Sequence, residues 1–366
     1  MTATLAQTPL HEWHTAHGGR MVDFAGWSMP VQYSSIVAEH QATRTAATLF
    51  DVSHMGRLRF DGPDAAKFLD GLLTRRIDNS KPGQIRYSLI TNDAGGILDD
   101  VLVYHMQDAG RESYYWMVVN ASNREKIVRW LTPRLADGGD VEFADLTEIT
   151  AMIALQGPKA MAMAGAVLDW DPTGLKYYTG RESEVALHEG LVSRTGYTGE
   201  DGLELILPGA AAADVWGRLH ESGATAAGLG CRDTLRLEAA MPLYGHELSE
   251  EINPIQAGLK FAVNTNDRDF IGRDAIKRLS ADASLPVRIG LELDSKRAPR
   301  EGYPILAGDR PTGKITSGTH SPTLGRPIAM GYVASEHATV GTELNVDIRG
   351  RCEAARVVKM PFYRRP

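Results

Sequence analysis

Residues 87–106 read YSLITNDAGGILDDVLVYHM, two apolar segments separated by the turn-forming residues NDAGG. Apolar segments of this length on either side of a glycine-rich turn predict two antiparallel strands. The next apolar segment, SYYWMVVNAS at residues 113–122, predicts a third strand that ends at Asn120. Together the three segments predict an antiparallel meander.

Two adjacent carboxylates lie in the middle of the second of these strands. Successive side chains of a strand point to opposite faces, so Asp100 shares the face of Leu98 and Leu102, and Asp99 shares the other apolar face. An unpaired carboxylate among apolar neighbours costs on the order of several kcal/mol. The residues alone leave two interpretations open: partly hydrated turn residues without chemistry, or a carboxylate that is kept there for a reaction.

The overall composition is that of a globular protein. The chain has 366 residues, of which 43% are hydrophobic and 23% charged, and this length predicts two or three domains. The net charge of −7 offers no basic surface for nucleic acid. A small anionic ligand would therefore need a local basic pocket.

Cysteine usage and hydropathy favour a reducing, aqueous compartment. The two cysteines, Cys231 and Cys352, are too few and too far apart for a disulfide framework or a metal site. The first residues lack a basic segment followed by an apolar core, and no apolar run of about 18 residues follows. We expect a cytoplasmic protein without a membrane segment.

The same local plan occurs twice along the chain. GRLRFDGPDAAKFLDGLL at residues 56–73 and TAMIALQGPKAMAMAGAVL at residues 150–168 each read as a strand, a Gly-Pro step and a helix. This repetition predicts two related α+β domains. From about residue 286, short apolar segments recur at intervals of about ten residues, which predicts a small all-β barrel or sandwich.

Two further segments predict helices. Residues 36–49 have apolar positions at helical spacing, and residues 228–248 begin at a glycine turn and continue with leucines at similar spacing. Arg232 lies in the first turn of the second helix, where an arginine opposes the helix dipole. An anionic or carboxylate partner would explain its position.

Metal and nucleotide sites are not indicated. His11, His14 and His17 could share a metal on a helix, but no carboxylate or cysteine accompanies them at ligand spacing. The chain also lacks the GxGxxG and GxxxxGK[ST] patterns that bind nucleotide phosphates. We therefore predict no metal site and no dinucleotide-binding domain.

The segment RTGYTGEDGLELIL, residues 194–207, predicts a glycine-rich loop followed by a strand. Glu204 lies in that strand, and its carboxylate offers two acceptors in one plane, which match the paired N–H groups of an amidine-like heterocycle. A glutamate on an edge strand, with no ligand, fits the pattern equally well.

Several motifs, in chain order, together resemble the aminomethyltransferase family of the glycine cleavage system, the T-proteins. The resemblance runs from about residue 8 to the C-terminus. The motifs are MVDFAGW (21–27), FDVSHMG (50–56), AGGILDD (94–100), RTGYTGEDGLE (194–204), RDTLRLEA (232–239) with LYG (243–245), TSG (316–318), AMGY (329–332) and KMPF (359–362).

This resemblance implies an α+β fold of three domains in a cloverleaf around a central folate funnel. Two related α+β domains and a C-terminal small β-barrel-like domain are expected. The expected boundaries are 1–52 with 140–255 for the discontinuous first domain, 53–139 for the second domain with the meander, and 256–366 for the third.

The implied activity is transfer of the aminomethyl carbon from the lipoyl group of the H-protein to tetrahydrofolate. The products are 5,10-methylenetetrahydrofolate and ammonia, and no metal is implied. One alternative is a non-catalytic folate-binding protein of iron–sulfur cluster maintenance, but the cysteine motif of that group is absent near LYGHELSEE, residues 243–251. The other is the folate module of a dimethylglycine or sarcosine oxidoreductase, which would accompany a flavin domain.

The resemblance also assigns roles to individual residues. Asp100 matches the catalytic aspartate, which can stabilise positive charge as ammonia leaves and accept a hydrogen bond from the attacking nitrogen. Arg365 follows the KMPF motif, and Arg364 is the alternative for the same role. The folate-binding residues implied are Met55, Tyr87, Val118, Asn120, Tyr197, Glu204, Arg232 and Arg365.

The implied H-protein partner is generally acidic, whereas this chain is itself negative. Encounter would then need a local basic patch. The segment DSKRAPR, residues 294–300, is the candidate, and a solvated loop is the alternative.

Overall fold

The computed structural model describes residues 4–108, 110 and 112–366, and its elements are given for that part of the chain. The α-helices are α1 (His11–Ala16), α2 (Ile36–Thr45), α3 (Ala65–Leu72), α4 (Arg124–Leu135), α5 (Ala160–Met163), α6 (Ala212–Glu221), α7 (Leu229–Glu238) and α8 (Arg273–Leu279). The first strands are β1 (Ala6–Gln7), β2 (Met21–Phe24), β3 (Trp27–Pro30), β4 (Thr48–Asp51), β5 (Gly56–Asp61), β6 (Ile85–Thr91), β7 (Ile97–Gln107), β8 (Ser113–Val119), β9 (Glu142–Asp145) and β10 (Thr150–Gln156). The remaining strands are β11 (Gly180–Val185), β12 (His188–Ser193), β13 (Gly202–Pro208), β14 (Thr225–Ala226), β15 (Val287–Leu293), β16 (Pro304–Ala307), β17 (Arg310–Ser321), β18 (Arg326–Val333), β19 (Glu343–Asp347) and β20 (Cys352–Val358).

The chain divides into two compact units. Unit 1 comprises the described residues up to Gly71 together with Arg75–Ser88 and Asp100–Arg232. Unit 2 comprises Leu72–Thr74, Leu89–Asp99 and Asp233–Pro366. The three-domain boundaries that the sequence suggested remain predictions.

The predicted meander is present. Strands β6, β7 and β8 are consecutive neighbours in a five-stranded sheet of order β6-β7-β8-β5-β9. The turn between β6 and β7 requires glycine, since a Cβ at Gly96 would lie 1.8 Å from the carbonyl oxygen of Glu250. Asp99 and Asp100 both lie inside β7, so the interpretation of the pair as turn residues is wrong.

Unit 1 also contains a six-stranded sheet of order β11-β12-β13-β10-β4-β14. Strand β13 lies between β12 and β10 and pairs with both, which rules out an edge position for Glu204. Helix α6 packs its buried residues, Trp216 among them, against the apolar core of this sheet. The carboxylate of Glu204 is therefore held by a central strand.

Two predicted helices are shorter than expected. Helix α2 ends at Thr45 because residues from Thr48 onward pair as β4 with β10. Helix α7 ends at Glu238, since Ala240 has a φ of 53°, a left-handed conformation that terminates helices. The backbone N–H of Met241 closes that end by donating to the carbonyl of Arg236 at 2.9 Å.

The repeated strand–helix plan is observed in both places, as β5 with α3 and as β10 with α5. In unit 2, the C-terminal strands form a closed barrel of order β15-β18-β17-β16-β19-β20, which decides between the predicted barrel and sandwich. Aliphatic side chains such as Leu291 and Val346 fill the barrel interior. Within the described residues, no helix combines the length and apolar character needed to cross a membrane.

Candidate functional site

The strand register of unit 1 places three of the predicted site residues opposite one another on adjacent strands. Leu102 of β7 pairs with Val118 of β8, which also pairs with a residue of β5. Continuing this antiparallel register by two residues sets Asp100 opposite Asn120, and Asn120 opposite Met55. Asp100, Val118 and Asn120 therefore lie close together at this end of β7 and β8.

The carboxylate of Asp100 is held at both oxygens. The side-chain amide of Asn120 donates to Oδ1 at 2.8 Å, and the hydroxyl of Tyr87 donates to Oδ2 at 3.1 Å. Asp100 is half-buried, whereas Asp99 is fully buried. Two neutral donors thus orient a carboxylate that forms no ion pair with any residue in the described part of the chain.

The surroundings of Asp100 move its ionisation toward neutral pH. Burial raises the pKa of Asp100 to about 6, while the hydrogen bonds from Asn120 and Tyr87 lower it and limit the shift. A carboxyl with this pKa is mostly ionised at pH 7.5 and becomes protonated in mild acid. Perturbed groups of this kind concentrate at functional sites.

Glu204 is a second buried carboxylate. It is 4% exposed, and the hydroxyl of Thr195 donates to its Oε2 at 2.5 Å. Burial raises the pKa of Glu204, while the Thr195 hydrogen bond and the charge of Arg232 lower it. Oε1 makes no hydrogen bond to any residue in the described part of the chain.

Arg232 lies in the first turn of α7, as the sequence predicted. Its guanidinium carbon lies 4.8 Å from the ring centroid of Tyr197, and burial lowers its pKa. Among the residues that the structure describes, none accepts a hydrogen bond from its buried Nη1. Because buried N–H groups are almost always paired, this nitrogen indicates a ligand acceptor.

Met55 and Val118 complete the predicted residues of unit 1. Met55 is half-buried in the turn between β4 and β5, and Val118 is 4% exposed within β8. Buried Arg57 fixes that turn, since its Nη1 donates to the carbonyls of Ser53 and Met55 at 2.9 and 2.6 Å. The turn that carries Met55 is therefore rigidly attached to β5.

Arg365 belongs to unit 2 and is exposed, as is Arg364. Whether either arginine contributes to the folate site remains a prediction.

Sequence reasoning did not assign a role to two tyrosines near these carboxylates. Tyr178 has a φ of 60°, which is rare for a non-glycine residue and costs roughly 1–3 kcal/mol. Burial raises the pKa of Tyr178, and the charges of Glu204 and Asp100 raise it further. The buried Tyr104 shares the Asp100 face of β7 and also lies near Glu204.

His54 was also missed, although it lies in the motif FDVSHMG. It is 3% exposed, its Nδ1 is buried with no partner in the described residues, and its ring lies edge-on to Phe24. Burial, with the charges of Arg232 and Arg57, lowers its pKa to about 4. Sequence patterns do not reveal burial of a single histidine, so only the structure shows that Nδ1 of His54 lacks a partner among the described residues.

Two of the three spaced histidines have other contacts. His14 is buried, with Nε2 2.9 Å from Asp51 Oδ2 and Nδ1 2.7 Å from the hydroxyl of Tyr33. His17 stacks on Trp13 with ring centroids 3.9 Å apart. Across the described ranges, no cluster of three or more histidine, cysteine or acidic side chains could hold a metal ion.

Comparison with known proteins identifies the family. Residues 10–267 match the GCVT N-terminal domain, and residues 287–364 match the glycine cleavage T-protein C-terminal barrel domain. The chain belongs to the glycine cleavage T-protein family. The resemblance of the sequence motifs to this family is thereby confirmed.

Similar proteins extend over nearly the whole chain. It is 48% identical to an aminomethyltransferase of Rubrobacter xylanophilus, covering 99% of this chain and 95% of that relative. It is 46% identical to an aminomethyltransferase of Streptomyces coelicolor, covering 99% and 98%. The crystal structure of glycine cleavage system aminomethyltransferase T from Bartonella henselae has a TM-score of 0.91 at 34% identity and covers 99% of both chains.

These similarities confirm the predicted α+β fold with a C-terminal barrel. They also support aminomethyl transfer in glycine cleavage as the function of this T-protein family member, which is a transferase. The non-catalytic role in iron–sulfur cluster maintenance is not favoured.

Proposed function

We propose that this protein takes the one-carbon unit of an aminomethyl-lipoyl H-protein and transfers it to tetrahydrofolate, in the cytoplasm. The observation that carries the proposal is the half-buried carboxylate of Asp100, oriented by Tyr87 and Asn120. Glu204 and Arg232, which also belong to unit 1, would bind the pterin, since the buried Nη1 of Arg232 has no acceptor among the described residues.

Glu204 is suited to hold the pterin ring. A pterin presents adjacent N–H donors, and a carboxylate on a rigid central strand can accept them. Oε2 already receives the Thr195 hydroxyl, and Oε1 remains for the ligand. The buried Nη1 of Arg232 would donate to an acceptor on the ligand, and the ring of Tyr197 keeps the guanidinium in place.

The reaction balances without an oxidant or a reductant. The carbon–sulfur bond to the lipoyl group and the carbon–nitrogen bond to ammonia break, and two carbon–nitrogen bonds to the folate amines form. The two protons displaced from those amines end on the lipoyl sulfur and on ammonia. Positive charge develops on the transferred carbon and its nitrogen partners along this route.

Asp100 would act on that developing charge. With a pKa of about 6, its carboxylate is mostly ionised at neutral pH. It can accept a hydrogen bond from the attacking folate nitrogen and stabilise the cation. Its partial desolvation strengthens this interaction, and the cationic substrate compensates for the cost of keeping a carboxylate there.

The proposal is tested with purified protein, aminomethyl-loaded lipoyl H-protein and tetrahydrofolate. We expect stoichiometric 5,10-methylenetetrahydrofolate and ammonia, each dependent on both substrates. Ammonia release that does not require tetrahydrofolate would contradict folate as the acceptor. Tight folate binding without any turnover would instead favour a folate-binding protein.

A further inference from the structure

The carboxylate of Glu204 receives a single hydrogen bond from the residues described, and the donor is Thr195. The hydroxyl of Thr195 lies 2.5 Å from Oε2. Because an ionised carboxylate can only accept, Thr195 must donate its one hydroxyl proton to Glu204. The other oxygen, Oε1, is left for a ligand.

Thr195 is itself fixed by its neighbour Ser193. The two hydroxyl oxygens are 2.9 Å apart, and Ser193 Oγ is 3.1 Å from the backbone carbonyl oxygen of Glu204. Since the Thr195 proton goes to Glu204, the hydroxyl of Ser193 donates either to Thr195 or to that carbonyl. Ser193 and Thr195 are each 1% exposed, so water does not compete for these contacts.

The backbone of Thr195 is held by Gln156 at the end of β10. The amide nitrogen of this fully buried side chain donates to the carbonyl of Thr195 at 3.0 Å. The amide oxygen accepts from the hydroxyl of Thr198 at 2.9 Å. One side chain thus fixes the glycine-rich loop at two points, on either side of Tyr197.

Two glycines allow this close packing around Gln156. A Cβ at Gly196 would lie 2.0 Å from its Oε1, and a Cβ at Gly202 would lie 2.6 Å from its Nε2. Both distances are too short for any side chain. The spacing of glycines in RTGYTGEDG therefore reflects wrapping of the loop around one buried amide.

We propose that Thr195, supported by Ser193 and Gln156, is a positioning residue of the folate site that fixes Oε2 of Glu204 so that Oε1 faces the N–H edge of the pterin. This inference rests on the proposed function, in which Glu204 binds the pterin. It adds a residue that acts through Glu204 and does not itself touch the ligand.

The proposal has a consequence for pH dependence. The groups that face Glu204 are Thr195 from the loop after β12, Arg232 from α7, Tyr104 from β7 and Tyr178 from the segment before β11. Burial raises the pKa of Glu204, and the Thr195 hydroxyl and Arg232 oppose this rise. Without the hydroxyl, Glu204 would protonate at higher pH and lose acceptor capacity there.

The test is equilibrium binding of tetrahydrofolate under anaerobic conditions between pH 5 and 8.5. We compare the wild type with Thr195→Val, Thr195→Ser and Glu204→Gln, after checking each fold by circular dichroism. Thr195→Val should weaken binding about tenfold at pH 7.5, the effect of one lost hydrogen bond to a charged group. It should also move the loss of binding in acid to higher pH, and Thr195→Ser should restore both properties.

Thr198→Val is the matched control, since it removes a buried hydroxyl of the same loop that bonds Gln156 and not Glu204. We expect the acid limb of its binding curve to stay at the wild-type pH. If Thr195→Val and Thr198→Val weaken binding alike without displacing that limb, Thr195 is merely structural and the inference is wrong.

Failure of the proposed function would look different. Glu204→Gln should weaken binding and remove the acid limb that depends on this carboxylate. Wild-type binding by Glu204→Gln would overturn the assignment of Glu204 to the pterin, and the inference with it. Weak binding by Glu204→Gln together with wild-type behaviour of Thr195→Val would overturn the inference alone.

Discussion

The side-chain amide of Asn120 donates to both the backbone carbonyl and the Oδ1 of Asp100, at 3.2 and 2.8 Å. One amide thus fixes a carboxylate relative to its own strand. Tyr87 holds the second oxygen, so rotation of the carboxylate would break at least one hydrogen bond. A group held this way is preorganised for charge that develops at a fixed position.

The first prediction separates Asp100 from its neighbour Asp99. The two side chains leave opposite faces of β7, so only Asp100 shares the face of Tyr104 and Leu102. Asp100→Asn should slow single-turnover methylene transfer by roughly 10² to 10³, or about 3–4 kcal/mol, and should retain most folate affinity. Asp99→Asn should reduce the transfer rate much less. A slow Asp99 variant beside a normal Asp100 variant would reverse the assignment.

The substitution Asp100→Asn should also change thermal stability, and the raised pKa of Asp100 fixes the direction of the change. The folded-state pKa of Asp100, about 6, lies above its ordinary value of 3.8, so the folded protein binds this proton more tightly than the unfolded chain. Stability from this group is therefore present below about pH 4 and is lost as pH rises through 6. Asp100→Asn should raise the melting temperature at pH 7.5 more than at pH 4.5. A lower melting temperature at pH 7.5 would assign Asp100 a structural role.

A third prediction concerns Tyr87 and the pH–rate profile. If transfer requires ionised Asp100, the rate should fall in acid with an apparent pKa near 6. Tyr87→Phe removes a hydrogen bond that lowers this pKa, so the acid limb should move to higher pH. The residual transfer rate of the Asp100→Asn variant should not show this fall in acid. If the acid limb of the Tyr87→Phe profile stays at the wild-type pH, a group other than Asp100 is responsible for the fall in rate.

The local parts of this arrangement could be read from the sequence. Ile85–Thr91, Ile97–Gln107 and Ser113–Val119 are three strands that follow closely in sequence, and each strand carries its own apolar pattern. Their neighbour relations follow from short connections, so the grouping of Tyr87, Asp100 and Asn120 was predictable. The family motifs supplied the roles that this pattern could not.

Long-range packing decided what the sequence could not predict. Helix α2 stops at Thr45 because pairing of β4 with β10 outweighs the helical pattern of residues 46–49. Tyr178 has a left-handed backbone conformation in the segment before β11, and its carbonyl accepts a hydrogen bond from the backbone N–H of Ile85 in β6 at 2.9 Å. No periodicity marks such a residue, since its backbone partner in β6 is distant in sequence.

A fourth prediction measures the part that Glu204 plays in folate affinity. Glu204→Ala should weaken tetrahydrofolate binding by about 1.5–3 kcal/mol, the scale of hydrogen bonds to charged groups. Glu189→Ala is the control, because Glu189 is an exposed glutamate on neighbouring strand β12. Calorimetry should show unchanged affinity for the control. Unchanged affinity for Glu204→Ala as well would remove Glu204 from the site.

The last prediction concerns docking of the H-protein. Lys296, Arg297 and Arg300 are exposed in the segment that follows β15, on a chain whose net charge is −7. An acidic partner would be attracted by this local patch, and salt would screen the attraction.

Replacing all three residues by glutamine should raise the apparent KM for H-protein and flatten its dependence on salt, with kcat at saturating H-protein little changed. A second triple variant serves as the control, in which the exposed residues Arg310, Arg351 and Lys359 of unit 2 become glutamine. Both variants change the net charge by the same amount, so a difference between them reports position and not total charge. If the two triple variants show the same KM and the same salt dependence, the docking face does not include residues 296–300, because any effect then arises from overall charge alone.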